Sequence, residues 1–188
     1  AVPEPPGEAE GAPAPPALPL DPEPTSRSRR LSWAKLLARV FAIEVLDAMS
    51  RAVGADRVGI KISPEMAFND ISDANPQDTY TTLVRAIGNT GLAYLHVGLY
   101  GTPVDYHGLL KPLFKGAYFA GGGLDQAKAE ALIGAGRADA AVFGSLFLAN
   151  PDLPERFRLG GALNPPEQST FYTPGPKGYI DYPALEPV

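Results

Sequence analysis

Residues 140–153 read Ala140-Ala141-Val142-Phe143-Gly144-Ser145-Leu146-Phe147-Leu148-Ala149-Asn150-Pro151-Asp152-Leu153. The first four are short and apolar, as a strand buried on both faces should be. Gly144 lets the chain turn tightly and approach a ligand closely. Asn150 is a capping residue type, Pro151 suits a first helical position and Asp152 suits the positive end, so a helix is expected to start there. A strand feeding a helix through glycine leaves backbone N–H groups pointing outward, which is an anion-binding arrangement.

The same unit recurs upstream. Leu36, Val40, Ile43, Met49 and Val53 recur at helical spacing and Gly54 provides a stop, so a helix is expected there. From Arg57 to Ser63 the pattern alternates, with Val58, Ile60 and Ile62 on one side and Gly59, Lys61 and Ser63 on the other. Asn75-Pro76 opens a helix carrying Tyr80, Leu83, Val84 and Ile87. Leu92–Val97 reads as a strand, Tyr106–Phe114 as a short helix broken by Gly108 and Pro112, and Ala117–Ala120 as a strand leading into Gly121-Gly122-Gly123. A helix over Asp125–Ile133, capped by Asp125, precedes the opening stretch; beyond Gly160 the proline-rich tail is irregular. Strand and helix thus alternate four times with short links, a parallel α/β architecture. A doubly wound sheet and a (β/α)₈ barrel both fit; a complete barrel needs eight strands and about 250 residues, so four units would be half of one.

The chain has 188 residues, 45% of them hydrophobic and 20% charged, enough to bury one core. A net charge of −5 argues against a nucleic-acid-binding surface. No run approaches the ~18 consecutive apolar residues of a membrane span. There is no cysteine, so disulfides, thiolate metal sites and a cysteine nucleophile are excluded; a reducing, cytoplasmic setting is expected. Residues 1–30 are rich in Pro and Ala and end in a basic cluster, Arg27, Arg29 and Arg30, read as a solvated junction. With almost no large apolar side chains, this segment is expected to be disordered, and residues 31–188 to form the folded domain.

Wording then goes beyond pattern. Phe41-Ala42-Ile43-Glu44-Val45-Leu46-Asp47-Ala48 leads to Val53-Gly54-Ala55-Asp56-Arg57-Val58-Gly59-Ile60-Lys61-Ile62-Ser63-Pro64. Phe68-Asn69-Asp70, Gly91-Leu92-Ala93-Tyr94-Leu95-His96-Val97, the Gly121–Gly123 turn, the opening stretch, Thr170-Phe171-Tyr172 and Gly178-Tyr179-Ile180-Asp181-Tyr182-Pro183 follow in order. This set closely resembles the C-terminal half of the Old Yellow Enzyme family, over roughly residues 39–183. The resemblance implies four βα units of an FMN-containing (β/α)₈ barrel that uses NAD(P)H to reduce activated alkenes such as enones, or nitro compounds.

Mapped by the resemblance, Gly122 and Gly123 follow the seventh barrel strand and Gly144 the eighth, the loops that form the common phosphate site of this fold. On residues alone, the glycines could equally serve only tight turns. Lys61 falls where the family has an arginine beside the flavin; it keeps the charge and loses the forked donor geometry. The alternative for Lys61 is a lysine reaching solvent at a strand end. Ser145 falls where the family usually grips phosphate with a second arginine, so it brings a hydroxyl without charge; otherwise it is a plain turn residue. Tyr172 corresponds to an aromatic near the substrate pocket, or else is a packed tail tyrosine. Asn69, Asp70 and Asp73 are assigned turn and cap duties, and His96 and His107 lack partners at metal-ligand spacing.

The family's substrate-binding His–Asn or His–His pair and its proton-donating tyrosine lie at and just after the fourth strand, outside the stretch of resemblance. No catalytic residue is therefore assigned. A half barrel leaves two open sheet edges and an uncovered inner wall, so self-association or a covering partner is expected. A non-catalytic remnant or interaction protein keeping the half barrel is the alternative function.

Overall fold

The computed structural model describes residues 41–68 and 71–185. The expectations for residues 1–30, for Leu36 and Val40, and for Asn69 and Asp70 lie outside the described residues. Four strands, β1 (Gly59–Ile62), β2 (Tyr94–Gly98), β3 (Ala117–Gly121) and β4 (Ala140–Val142), form one parallel sheet in the order β1-β2-β3-β4. Spatial order equals chain order. A doubly wound sheet reverses its strand order midway, so this is an arc of a barrel: four βα units, half of a (β/α)₈ fold.

Helices α1 (Ile43–Val53), α2 (Pro76–Ile87), α3 (Tyr106–Leu110), α4 (Gln126–Gly134), α5 (Ser145–Ala149) and α6 (Leu153–Leu159) accompany the strands. Their ends follow local chemistry. Gly54, at φ 94°, closes α1 by donating its N–H to the Ser50 carbonyl at 2.9 Å. Pro76 starts α2, and Asp125 caps α4 by accepting the Lys128 N–H at 2.8 Å. A 3-10 turn, Lys111–Leu113, prolongs α3.

Alternation sorts the strand side chains onto two faces. Val58, Ile62, Leu95, Val97, Tyr118 and Ala120 are buried against the helices, with Leu46, Leu83, Val84, Ile87 and Leu110. Each large one contributes roughly 1.5–3 kcal/mol by leaving water. The other face, the inner wall of the arc, is open. Register aligns Lys61, His96, Phe119 and Ala140 in one row across it. Tyr94 stacks on Phe119, ring centroids 5.0 Å apart, and lies across Gly59, where a Cβ would come within 2.3 Å of the tyrosine ring.

Along α1, Val45, Met49 and Val53 are exposed, while Leu46 makes the buried contact. One expectation needs correction. The helix after β4 does not wait for Asn150. Gly144 caps α5 directly, and α6 starts at Leu153 with Asp152 before it. Asn150 is fully buried instead, donating to the Leu146 and Asn164 carbonyls at 2.8 and 3.1 Å and accepting the Asn164 N–H at 2.7 Å. A buried amide with three partners is worth more to the fold than a terminal cap on a short helix.

The tail is irregular, as its prolines dictate, apart from a 3-10 turn at Gln168–Thr170, but it is fastened. Arg156, only 4% exposed, donates to Asp152 at 2.6 Å, to the Pro183 carbonyl at 2.6 Å and to the Ala162 carbonyl. Asp152 also accepts the Leu185 N–H at 2.6 Å.

Candidate functional site

The site is built at the C-terminal ends of adjacent strands. Gly121 pairs with Val142 in the last rung between β3 and β4. Gly123 and Gly144 each lie two residues beyond that rung, so the two turns sit side by side. Gly122 has φ +88°, and a Cβ there would come 2.1 Å from the Leu99 carbonyl oxygen and 2.6 Å from its nitrogen. Only glycine permits this backbone-on-backbone contact, which the Leu99 N–H reinforces by donating to Gly121 at 2.9 Å. Around Gly123 and Gly144 there is open space where a side chain would be.

The two helix starts differ in charge. At α4 the Asp125 carboxylate already occupies the N-terminus and pairs with Lys128 Nζ at 2.9 Å; the hydrogen bonds from Lys128 hold its pKa below the usual carboxylate value. At α5 no side chain caps the first N–H groups, and the exposed Ser145 hydroxyl stands beside them. The α5 turn is therefore the side open to an anion. The glycine turns fit a phosphate in backbone geometry, while Ser145 adds a hydroxyl and no charge.

Lys61 is exposed on the inner face and makes no ion pair or hydrogen bond among the described residues. It stands three strands from β4, about 14 Å at ordinary strand spacing. Its neighbour His96 extends over Gly121, where a Cβ would lie 2.5 Å from Nε2. Burial, and then the Lys61 charge, hold the His96 pKa below the ordinary histidine value. Lys61 is the one charged side chain on the inner face of the four strands.

Tyr172 stands in the tail, 98% exposed. The structure thus brings Gly122, Gly123, Gly144 and Ser145 together, sets Lys61 across the same sheet face, and leaves Tyr172 free of the cradle's framework. Asp73 performs the expected turn duty, accepting the Asn75 N–H at 2.8 Å. Among the described residues, no three His, Asp or Glu side chains gather as metal ligands, and no helix is long and apolar enough to cross a membrane.

Sequence reasoning missed the group that holds the α5 turn. Asn150, Asn164 and Arg156 tie α5 and α6 to the tail, with Asn164 donating to the Ala149 and Pro183 carbonyls at 2.8 Å each. The available signal was Asn150 itself, a polar residue closing an apolar run, which local rules assign to a cap.

The chain matches the NADH:flavin oxidoreductase / NADH oxidase family over residues 38–164. It is 41% identical over 158 residues to 12-oxophytodienoate reductase 1 of Oryza sativa subsp. japonica, a match covering 79% of this chain and 42% of that protein. A structure of morphinone reductase in complex with tetrahydroNAD superposes with a TM-score of 0.72 at 41% identity, over 79% of this chain and 41% of that one. The old yellow enzyme from Trypanosoma cruzi gives a TM-score of 0.73 at 34% identity, over 77% and 40%. The chain spans about two fifths of the length of the relatives it matches.

Proposed function

Because the chain belongs to the NADH:flavin oxidoreductase / NADH oxidase family, we propose that it carries the phosphate end of an FMN site within an Old Yellow Enzyme-type reductase. The observation that carries this reading is the paired turn, Gly123 beside Gly144, opening onto an uncapped helix start. Backbone N–H groups at Ser145 and Leu146, with the Ser145 hydroxyl, would hold the phosphate. Gly122 keeps the β2 and β3 loops in contact so that the cradle has a fixed floor. Lys61 would offset negative charge on the flavin ring, and His96 beside it stays neutral, so the face keeps a single positive charge there. Tyr172 would approach substrate from the tail side.

FMN, when bound, supplies the hydride-transfer chemistry, with NAD(P)H as reductant and a small enone or nitro compound as acceptor. The protein's part is binding, orientation and exclusion of water. The inner face and the edges of β1 and β4, unpaired among the described residues, call for cover, by self-association or by a partner half barrel.

The test uses the full chain. FMN is added, excess is removed on a desalting column, and the visible spectrum is recorded. A yellow complex near one flavin per chain, bleached by NADPH without oxygen and restored by 2-cyclohexenone, is expected. Free passage of FMN through the column overturns the proposal.

A further inference from the structure

Helix α1 carries a second apolar side that the flavin cradle does not use. Leu46 is buried in the core and Ile43 packs against it. At 100° per residue, Val45, Ala48, Met49 and Ala52 fall within an arc of about 100° on another side of the helix. All four are exposed. Phe41, four residues before Val45 and 71% exposed, extends the row. A surface helix with one buried side ordinarily presents polar groups on the rest. Here the charged residues Glu44, Asp47 and Arg51 are confined to one flank of the exposed apolar side.

The spacing is that of a coiled-coil seam. Phe41, Val45, Ala48 and Ala52 follow in steps of four, three and four residues, the d, a, d, a order of a heptad. Glu44 and Arg51, seven residues apart, then both take the g position, and Met49 takes e. In an antiparallel pair of such helices, a positions lie opposite d positions. Val45 then faces the second copy's Ala48, and Phe41 faces its Ala52, so each layer sets a large side chain against a small one. The same two-fold axis brings Glu44 opposite the second copy's Arg51, and Arg51 opposite its Glu44. A parallel pair would set Glu44 against Met49 and lose that match.

We propose that α1 pairs antiparallel with α1 of a second copy of this chain, through Phe41, Val45, Ala48 and Ala52, with Glu44 and Arg51 making two reciprocal ion pairs beside the seam. Arg51 also pairs with Asp47 on its own helix. That pair is exposed on both sides and worth at most about 1 kcal/mol. The guanidinium has further N–H donors for a second carboxylate. The helix is about 16 Å long, so the contact is at the small end of specific interfaces and the dimer dissociates on dilution.

Sedimentation equilibrium of the full chain over a wide concentration range is expected to show a reversible monomer–dimer equilibrium. Glu44→Arg and Arg51→Glu, each alone, set like charges against each other at both contacts and are expected to weaken dimerisation at least tenfold. An equimolar mixture of the two variants is expected to dimerise as the parent does, because each contact then joins opposite charges. Loss of the Asp47–Arg51 pair within one helix would gain nothing from mixing, so recovery is specific to the proposed geometry. Ala48→Glu, which buries a charge in the seam, is expected to abolish the dimer; if it does not fold, the mixing experiment decides. A monomer at every concentration, unchanged dimerisation in both single variants, or no recovery on mixing would each overturn the proposal. Unchanged dimerisation would mean that the strand edges, rather than α1, hold the copies together. The seam uses no residue of the flavin cradle, so a chain that fails to retain FMN leaves this result unaffected.

Discussion

Gly123 and Gly144 hold equivalent places on neighbouring strands, each two residues past the Gly121–Val142 rung. The equivalence makes a discriminating substitution available. Gly144 has a negative φ of −94° and open space around it, so a side chain there meets no neighbour. Gly144→Asp should therefore fold normally and still weaken FMN by about tenfold, the size of a ~1.4 kcal/mol repulsion between the new carboxylate and the phosphate. Gly144→Ala should bind nearly as the parent does. Flavin fluorescence quenching measures both; equal binding by the Asp and Ala variants would place the phosphate elsewhere.

Ser145 offers the converse experiment. It is exposed at the first position of α5, so an arginine there is tolerated by the fold. A charge-assisted hydrogen bond is worth about 1.5–3 kcal/mol, and Ser145→Arg should tighten FMN about ten- to a hundredfold. The gain should shrink as salt rises, because an exposed charge is screened. Riboflavin, which lacks the phosphate, should gain nothing. An equal gain for riboflavin would show that residue 145 does not face the phosphate.

Much of this framework is legible in the residues, and the limits are physical. Val58, Ile60 and Ile62 alternate with Lys61, and a strand's period of two places Lys61 on the inner wall without further information. The parallel order follows from four βα units joined by short links. Burial of one helix face is another matter. The apolar residues of α1 cover two sides, and spacing alone cannot say that Leu46 turns inward while Met49 and Val53 turn out. Asn150 shows a second limit. Its residue type fits a cap, but its partners Leu146 and Asn164 include one fourteen residues away, and local rules carry no information at that range.

The two histidines set a pH window. Burial holds both below the ordinary value of about 6.5, with Lys61 adding to the effect at His96. Between the lowered folded values and 6.5 the unfolded chain binds more protons than the folded one. Stability contributed by the neutral rings is therefore complete above about pH 6.5 and is lost as pH falls below it. Urea midpoints should drop between pH 7 and 5, before the salt-bridged carboxylates Asp139 and Asp152 protonate at lower pH. Lys61→Gln should raise the His96 value part of the way back and leave His107 where it is. An NMR titration that finds His96 unmoved in the variant would break the assigned coupling.

Arg156 carries the last prediction. Its guanidinium is buried between Asp152 and two carbonyls of the tail, Ala162 and Pro183. Removing it leaves the Asp152 carboxylate and two carbonyl acceptors without their donor, so the tail loses its main fastening. Lysine keeps the charge but cannot reach three acceptors with a planar fork, so Arg156→Lys should recover only part of the loss. The damage should be directional. Residues 162–185 are held by this hub and by Asn164, whereas the sheet core of Leu95, Val97 and Tyr118 does not touch it. Limited proteolysis of Arg156→Ala should therefore cut within the tail first, while circular dichroism retains the signal of the sheet and α2. Because Asn150 and Asn164 join the same hub to α5, FMN affinity should fall together with tail protection. A variant with a freely cut tail and unchanged FMN affinity would show that the tail does not position the Gly144 turn.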